Sequence, residues 1–169
     1  MSHHLENFYT MIKTLFLKHK GKPTIADKEH CTYAESSNIG ILYNSLEFTS
    51  ESVSKLEELL KNDGKEIAKM GFADKPSENK LMFSKKDISS TGTVKKDQLD
   101  FFIKQPFDFL ISLDTSENRN YKYVLALSKA TCKVGFETEQ YYDLLQLSLK
   151  MDESKPKAVA NIVRYLKMI

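Results

Sequence analysis

The stretch "PFDFLISLDTSENRNYKYVLALSKATCKVGF", residues 106–136, decides the fold. Phe107 to Leu113 is almost wholly apolar, interrupted only by Asp108 near its start and by Ser112. A strand covered on both faces reads this way, because neither side can be polar. The polar loop "DTSENRN", 114–120, follows, and from Tyr121 to Ala130 the spacing is helical, with Val124, Leu125 and Ser128 on one side. Ala126 and Ala130 are small enough to let a helix approach a sheet closely. "CKVGF" is then a second short strand. Strand, loop, helix, strand is the pattern of a parallel crossover.

The same alternation extends upstream. "NIGILYN", 38–44, is a short apolar run rich in β-formers. Thr49 or Ser50 can cap the helix that follows, Glu51 lies in its first turn where the helix dipole favours it, and Gly64 supplies the left-handed stop. Val53, Leu56, Leu59 and Leu60 form its expected buried face. "KEIAKMGF" reads as a second strand and "KLMFSKKDIS" contains a third. "SSTGT" is a loop, and "VKKDQLDFFIK" forms a short helix with Val94, Leu99, Phe102 and Ile103 as its apolar residues, ended by Pro106.

Downstream, "YYDLLQLSLK" places Tyr141, Leu145, Leu147 and Leu149 on one parity, as in a half-buried edge strand, although its length also fits a helix. Pro156 suits the first turn of a last helix, with Val159, Ile162, Val163 and Leu166 along one stripe. At the other end of the chain, residues 4–20 carry an amphipathic helix with Leu5, Phe8, Ile12, Leu15 and Phe16 on one stripe, stopped by Gly21 and Pro23.

The predicted architecture is α/β: a three-layer, Rossmann-like, mainly parallel sheet of five or six strands in the order 3-2-1-4-5, with helices on both faces and the N-terminal amphipathic helix added. Residues 1–22 form that helix and 23–169 a single α/β domain. A chain of 169 residues is long enough for a substantial core.

Composition narrows the function classes. A net charge of +2, with lysines spread along the chain, gives no reason to expect a nucleic-acid partner. Cys31 and Cys132 are far apart and read as reduced thiols, which points to the cytoplasm. No CxxC or HExxH spacing occurs, and His3, His4 and His30 make no metal set, so neither metal nor cofactor is expected. No apolar run is long enough to span a membrane, and the start of the chain lacks the apolar core of a signal peptide.

A doubly wound sheet binds ligands beyond the carboxyl ends of its strands, where the winding reverses. The loops at 44–50 and 114–120 would flank that crevice, which makes Asn44, Ser45, Asp114, Ser116, Glu117, Asn118 and Arg119 the candidate ligand-binding residues. A helix start favours an anion, yet Asp114 and Glu117 would oppose a phosphate by about a few kcal/mol, and Arg119 offsets one charge at most. Hydroxyl-rich groups such as ribose or another sugar suit these side chains better. Neither loop has a GxGxxG or P-loop fingerprint. Turn chemistry explains the same residues without a ligand: Ser116 or Asn118 can cap the helix, while Glu47 and the other loop carboxylates stay solvated. No His lies in either loop, so no catalytic residue is assigned.

"FDFLISLDTSENRNYKYVLALSKATCKVGF", with "SSNIGILYN" upstream, resembles a family of small bacterial proteins with no assigned function, over residue 20 to the end of the chain. Its recognisable pieces are Phe107-Asp108 opening an apolar strand, and Ala126 to Ala130 leading into Val134-Gly135. More weakly, Phe107 through Gly135 is similar to the N-terminal half of heptosyltransferase-like glycosyltransferases, which implies a Rossmann-like sheet but no activity. The reading that results is a non-catalytic binding or assembly module, dimeric through a terminal helix, with Phe8, Ile12, Leu15 and Phe16 as interface residues. The alternatives are a small enzyme or binder of a nucleotide-sugar-like or other hydroxylated metabolite, and a membrane-peripheral protein docking by its first helix.

Overall fold

A computed structural model describes residues 32–116, 118–139, 141, 143–151 and 154–169. The N-terminal helix with Leu5, Phe8, Ile12, Leu15 and Phe16, the residues His3, His4, His30 and Cys31, and Glu117 in the second loop lie outside the described residues.

Among the described residues six strands form one sheet: β1 (Asn38–Asn44), β2 (Glu66–Phe72), β3 (Met82–Phe83), β4 (Phe109–Leu113), β5 (Cys132–Phe136) and β6 (Leu147–Leu149). Their order is β3-β2-β1-β4-β5-β6, and every pairing is parallel. β1 and β4 lie side by side in the register Ile39 to Phe109 through Tyr43 to Leu113, so both tips end at the same level. Among the described residues four α-helices connect or follow the strands: α1 (Ser50–Asn62), α2 (Asp97–Lys104), α3 (Arg119–Leu127) and α4 (Lys155–Leu166).

The helices divide between the two faces. Val53, Leu56 and Leu60 of α1 and Val159, Ile162 and Leu166 of α4 share one core with Ile39, Ile41, Phe109 and Ile111. Leu99, Phe102 and Ile103 of α2 and Tyr121, Val124 and Leu125 of α3 share the other with Leu42, Met70 and Leu110. β4, sandwiched between the two cores, is buried along its whole length. That is the physical reason its sequence is nearly continuous apolar residue.

Local signals set the helix starts. Thr49 caps α1 by accepting from Ser52 N, and Asn118 caps α3 by accepting from Asn120 N and Tyr121 N. Several details differ from the sequence reading: Val94, expected in α2, lies before it and bridges Ile88, and β4 opens at Phe109 rather than Phe107. Leu59 sits at the margin of the α1 stripe and is 41% exposed. α3 stops at Leu127, because Ser128 leaves helical geometry and the next turn is tied down by Lys129 N to Ile103 O and Thr131 N to Phe107 O. The expected strand at 141–150 is reduced to Leu147–Leu149: Tyr141 opens a turn closed by Leu144 N and Leu145 N to its own carbonyl.

Candidate functional site

The crevice predicted by the winding lies where β1 and β4 end, and polar side chains of the chain itself fill it. Asn44 and Asp114, the last residue of β1 and the first beyond β4, are 1% and 0% exposed. Asn44 Nδ2 donates to Asp114 Oδ1 at 2.6 Å and to Ser116 Oγ at 3.0 Å. Ser116 Oγ in turn donates to Asp114 Oδ1 at 2.8 Å, and the buried Tyr141 hydroxyl donates to Asp114 Oδ2. Asn44 Oδ1 accepts from Leu46 N at 3.0 Å and so shapes the first loop. Burial pushes the Asp114 carboxyl up; the hydrogen bonds from Tyr141, Asn44 and Ser116 oppose this, and the negative charge of Glu47 adds to it.

Glu47 completes the closure. Its carboxylate accepts from Thr115 N at 2.6 Å, Thr115 Oγ1 at 2.6 Å and Ser116 N at 3.1 Å, and it pairs with Lys155 Nζ at 3.0 Å. Burial alone would raise this carboxyl, but the Thr115 and Lys155 hydrogen bonds prevail and hold it below the ordinary carboxylate range. Main-chain N–H groups at this point of an α/β fold are the ones that meet an anionic ligand. Here they meet a carboxylate supplied from the neighbouring loop, and Lys155 brings α4 to the same point.

The sequence-predicted residues therefore divide. Asn44, Asp114 and Ser116 come together in one hydrogen-bonded cluster. Ser45 is exposed and donates both N and Oγ to Phe72 O, tying the first loop to β2. Asn118 serves as the α3 cap, and Arg119 is exposed on its first turn. Tyr141, Lys155 and Glu47 join this site through contacts that the sequence reading does not contain. Their partners are 27, 108 and 68 positions away, so no local spacing points to them. Among the described residues every buried side-chain N or O has a hydrogen-bond partner, and no group of three or more His, Cys, Asp or Glu is placed to hold a metal ion.

A second feature lies at the β2 edge of the sheet. β3 pairs only with Gly71 and Phe72, so among the described residues no strand lies beside Glu66–Met70 on that side. Gly71 N and Ala73 N donate toward β3, to Leu81 O and Phe83 O. Strand alternation then turns the N–H and C=O of Ile67 and Lys69 to the same open side. The edge is the floor of a groove of about 510 Å³, walled by Glu57 of α1 on one side and by Gln98, Phe101 and Gln105 on the other. Phe101 is 67% exposed. Lys69 Nζ is bound to Glu57 at 2.5 Å, and Asp97, at the start of α2, also lines the groove.

A model of a family of unknown function, DUF6913, matches residues 10–169. The chain belongs to that family. No curated protein and no solved structure matches this DUF6913 member. The likeness of Phe107 to Gly135 to heptosyltransferase-like enzymes stays a remark about fold. Among the described residues no helix is long and apolar enough to cross a membrane.

Proposed function

We propose that this DUF6913 member is a non-catalytic binding or assembly module. The observation that supports it is the Glu47 carboxylate on Thr115 N and Ser116 N, which occupies from within the donors a bound anion would need. Asp114, whose carboxyl burial pushes up, is enclosed by Asn44, Ser116 and Tyr141. Assembly draws further support from the exposed apolar residues Tyr165, Met168 and Ile169 at the end of α4. The stripe of Phe8, Ile12, Leu15 and Phe16 is proposed as a second interface surface.

The reading as a binder of a hydroxylated metabolite rests on the exposed Ser45, Ser116 and Arg119 at the rim of the crevice, with Glu117 beside them in sequence. It requires Glu47 to release Thr115 and Ser116 first. A thermal-shift screen of sugars, nucleosides and nucleotide sugars separates the two readings. The module reading expects no stabiliser. A stabiliser whose effect disappears in Asp114→Asn would establish the metabolite reading instead. Light scattering on the full chain and on a chain lacking residues 1–20 tests assembly: a monomer in both would remove the helix from the account. Co-sedimentation of the full chain with liposomes, lost on the same deletion, would point to membrane docking.

A further inference from the structure

We propose that the open edge of β2 binds an extended peptide by strand addition, with an apolar side chain of the peptide on Phe101 and a basic one facing Asp97. The proposal rests on the reading of this chain as a binding module, and it names the kind of partner. The N–H and C=O groups of Ile67 and Lys69 alternate along the edge with the two-residue repeat of a strand. An extended main chain supplies that pattern of acceptors and donors, and this is how peptides add to sheet edges. The walls say what else the occupant must be. The edge is flanked by Glu57 of α1 and by Gln98, Phe101 and Gln105 of α2, so an occupant pairs with the edge while lying between these side chains.

Charge completes the description. Of the charged side chains in the groove, Lys69 and Glu57 are paired with each other, and Glu57 also holds Lys61 at 2.6 Å. No ion pair engages Asp97 among the described residues, so at the β3 end of the groove its carboxylate is left to meet a basic side chain of the occupant. Phe101 and Leu81, 67% and 45% exposed, offer the apolar surface that a strand's alternate side chains would cover.

The test is to pan the full-length protein against a phage-displayed library of random 12-residue peptides and to synthesise the enriched sequences. The proposal predicts alternating apolar positions with a Lys or Arg at one end. Affinity should fall at least tenfold in Phe101→Glu, and at least tenfold when alternate peptide nitrogens are methylated. Asp97→Lys should turn the preference toward acidic peptides. Phe101 and Asp97 are exposed, so both variants fold, and matching thermal midpoints check this. Absence of enrichment, or binding indifferent to Phe101→Glu and to methylation, overturns the proposal. So does slow amide exchange at Ile67 and Lys69 without peptide, if it is released by deleting residues 1–31 or by dilution, because the chain's own segment or a second copy would then be the occupant. None of these results alters the thermal-shift outcome at the strand ends, so the two readings fail separately.

Discussion

Removing the Glu47 side chain should open the end of the sheet. In Glu47→Ala, Thr115 N and Thr115 Oγ1 lose acceptors at 2.6 Å, Ser116 N loses one at 3.1 Å, and Lys155 loses its partner. Hydrogen bonds to a charged group contribute about 1.5–3 kcal/mol each, but water replaces those nearest the surface. Ser116 is exposed and the Lys155 side chain is 37% exposed, so the two Thr115 bonds carry most of the effect. The expected loss is about 3 kcal/mol, against about 1 kcal/mol or less for Lys155→Ala. Urea unfolding at 25 °C followed by far-UV circular dichroism measures both; the chain has no Trp to report by fluorescence. The Glu47 carboxyl titrates below its unfolded value, so its contribution is complete above about pH 5 and is lost as pH falls through the folded value. The difference between wild type and Glu47→Gln should therefore shrink toward pH 3. Equal losses in Glu47→Ala and Lys155→Ala, or a Glu47→Gln difference independent of pH, would refute this account of the closure.

Asp114 carries the opposite sign. Burial raises its folded value above the unfolded one, so stability falls as pH rises from about 4 toward the folded value. Asp114→Asn removes that fall: its stability relative to wild type should increase with pH across that window in the same urea experiment, and a constant difference would contradict it. Asp114→Ala also strands the Asn44, Ser116 and Tyr141 donors and should cost about 2–4 kcal/mol near pH 4, a cost that shrinks as pH rises through the same window. Gly71→Ala would place a Cβ 2.5 Å from Tyr43 Cζ and also against Met82, a loss of about 1–3 kcal/mol visible as a lowered thermal midpoint and partly restored by Met82→Ala.

Much of this fold is legible in the chain. Phe109 to Leu113 could be placed between two helix layers because burial on both faces leaves no polar alternation to read. The 3.6-residue stripes of α1, α2 and α4 and the cap at Thr49 marked their elements directly. The errors have physical causes. Leu59 continues the α1 pattern, but nothing covers that side of the helix among the described residues. The alternation from Tyr141 to Leu149 imitates one strand, yet Tyr141 turns inward to Asp114, and the chain reaches β5 from Gln146 onward, with Leu147–Leu149 forming the strand. The crevice could be located from the topology, and Asn44 and Asp114 named from it. Its closure could not, since Glu47 depends on Thr115 and Lys155 from two other segments, and an acid in a polar loop looks the same whether solvated or bound.

The most direct test is amide hydrogen exchange at Thr115 and Ser116 in the full-length protein, alone and with millimolar phosphate or UDP-glucose. If Glu47 closes the crevice, both amides exchange slowly, both accelerate in Glu47→Ala, and neither responds to either compound. Fast exchange in the wild type, or further protection on adding one of the compounds, would mean that the strand ends hold a ligand after all.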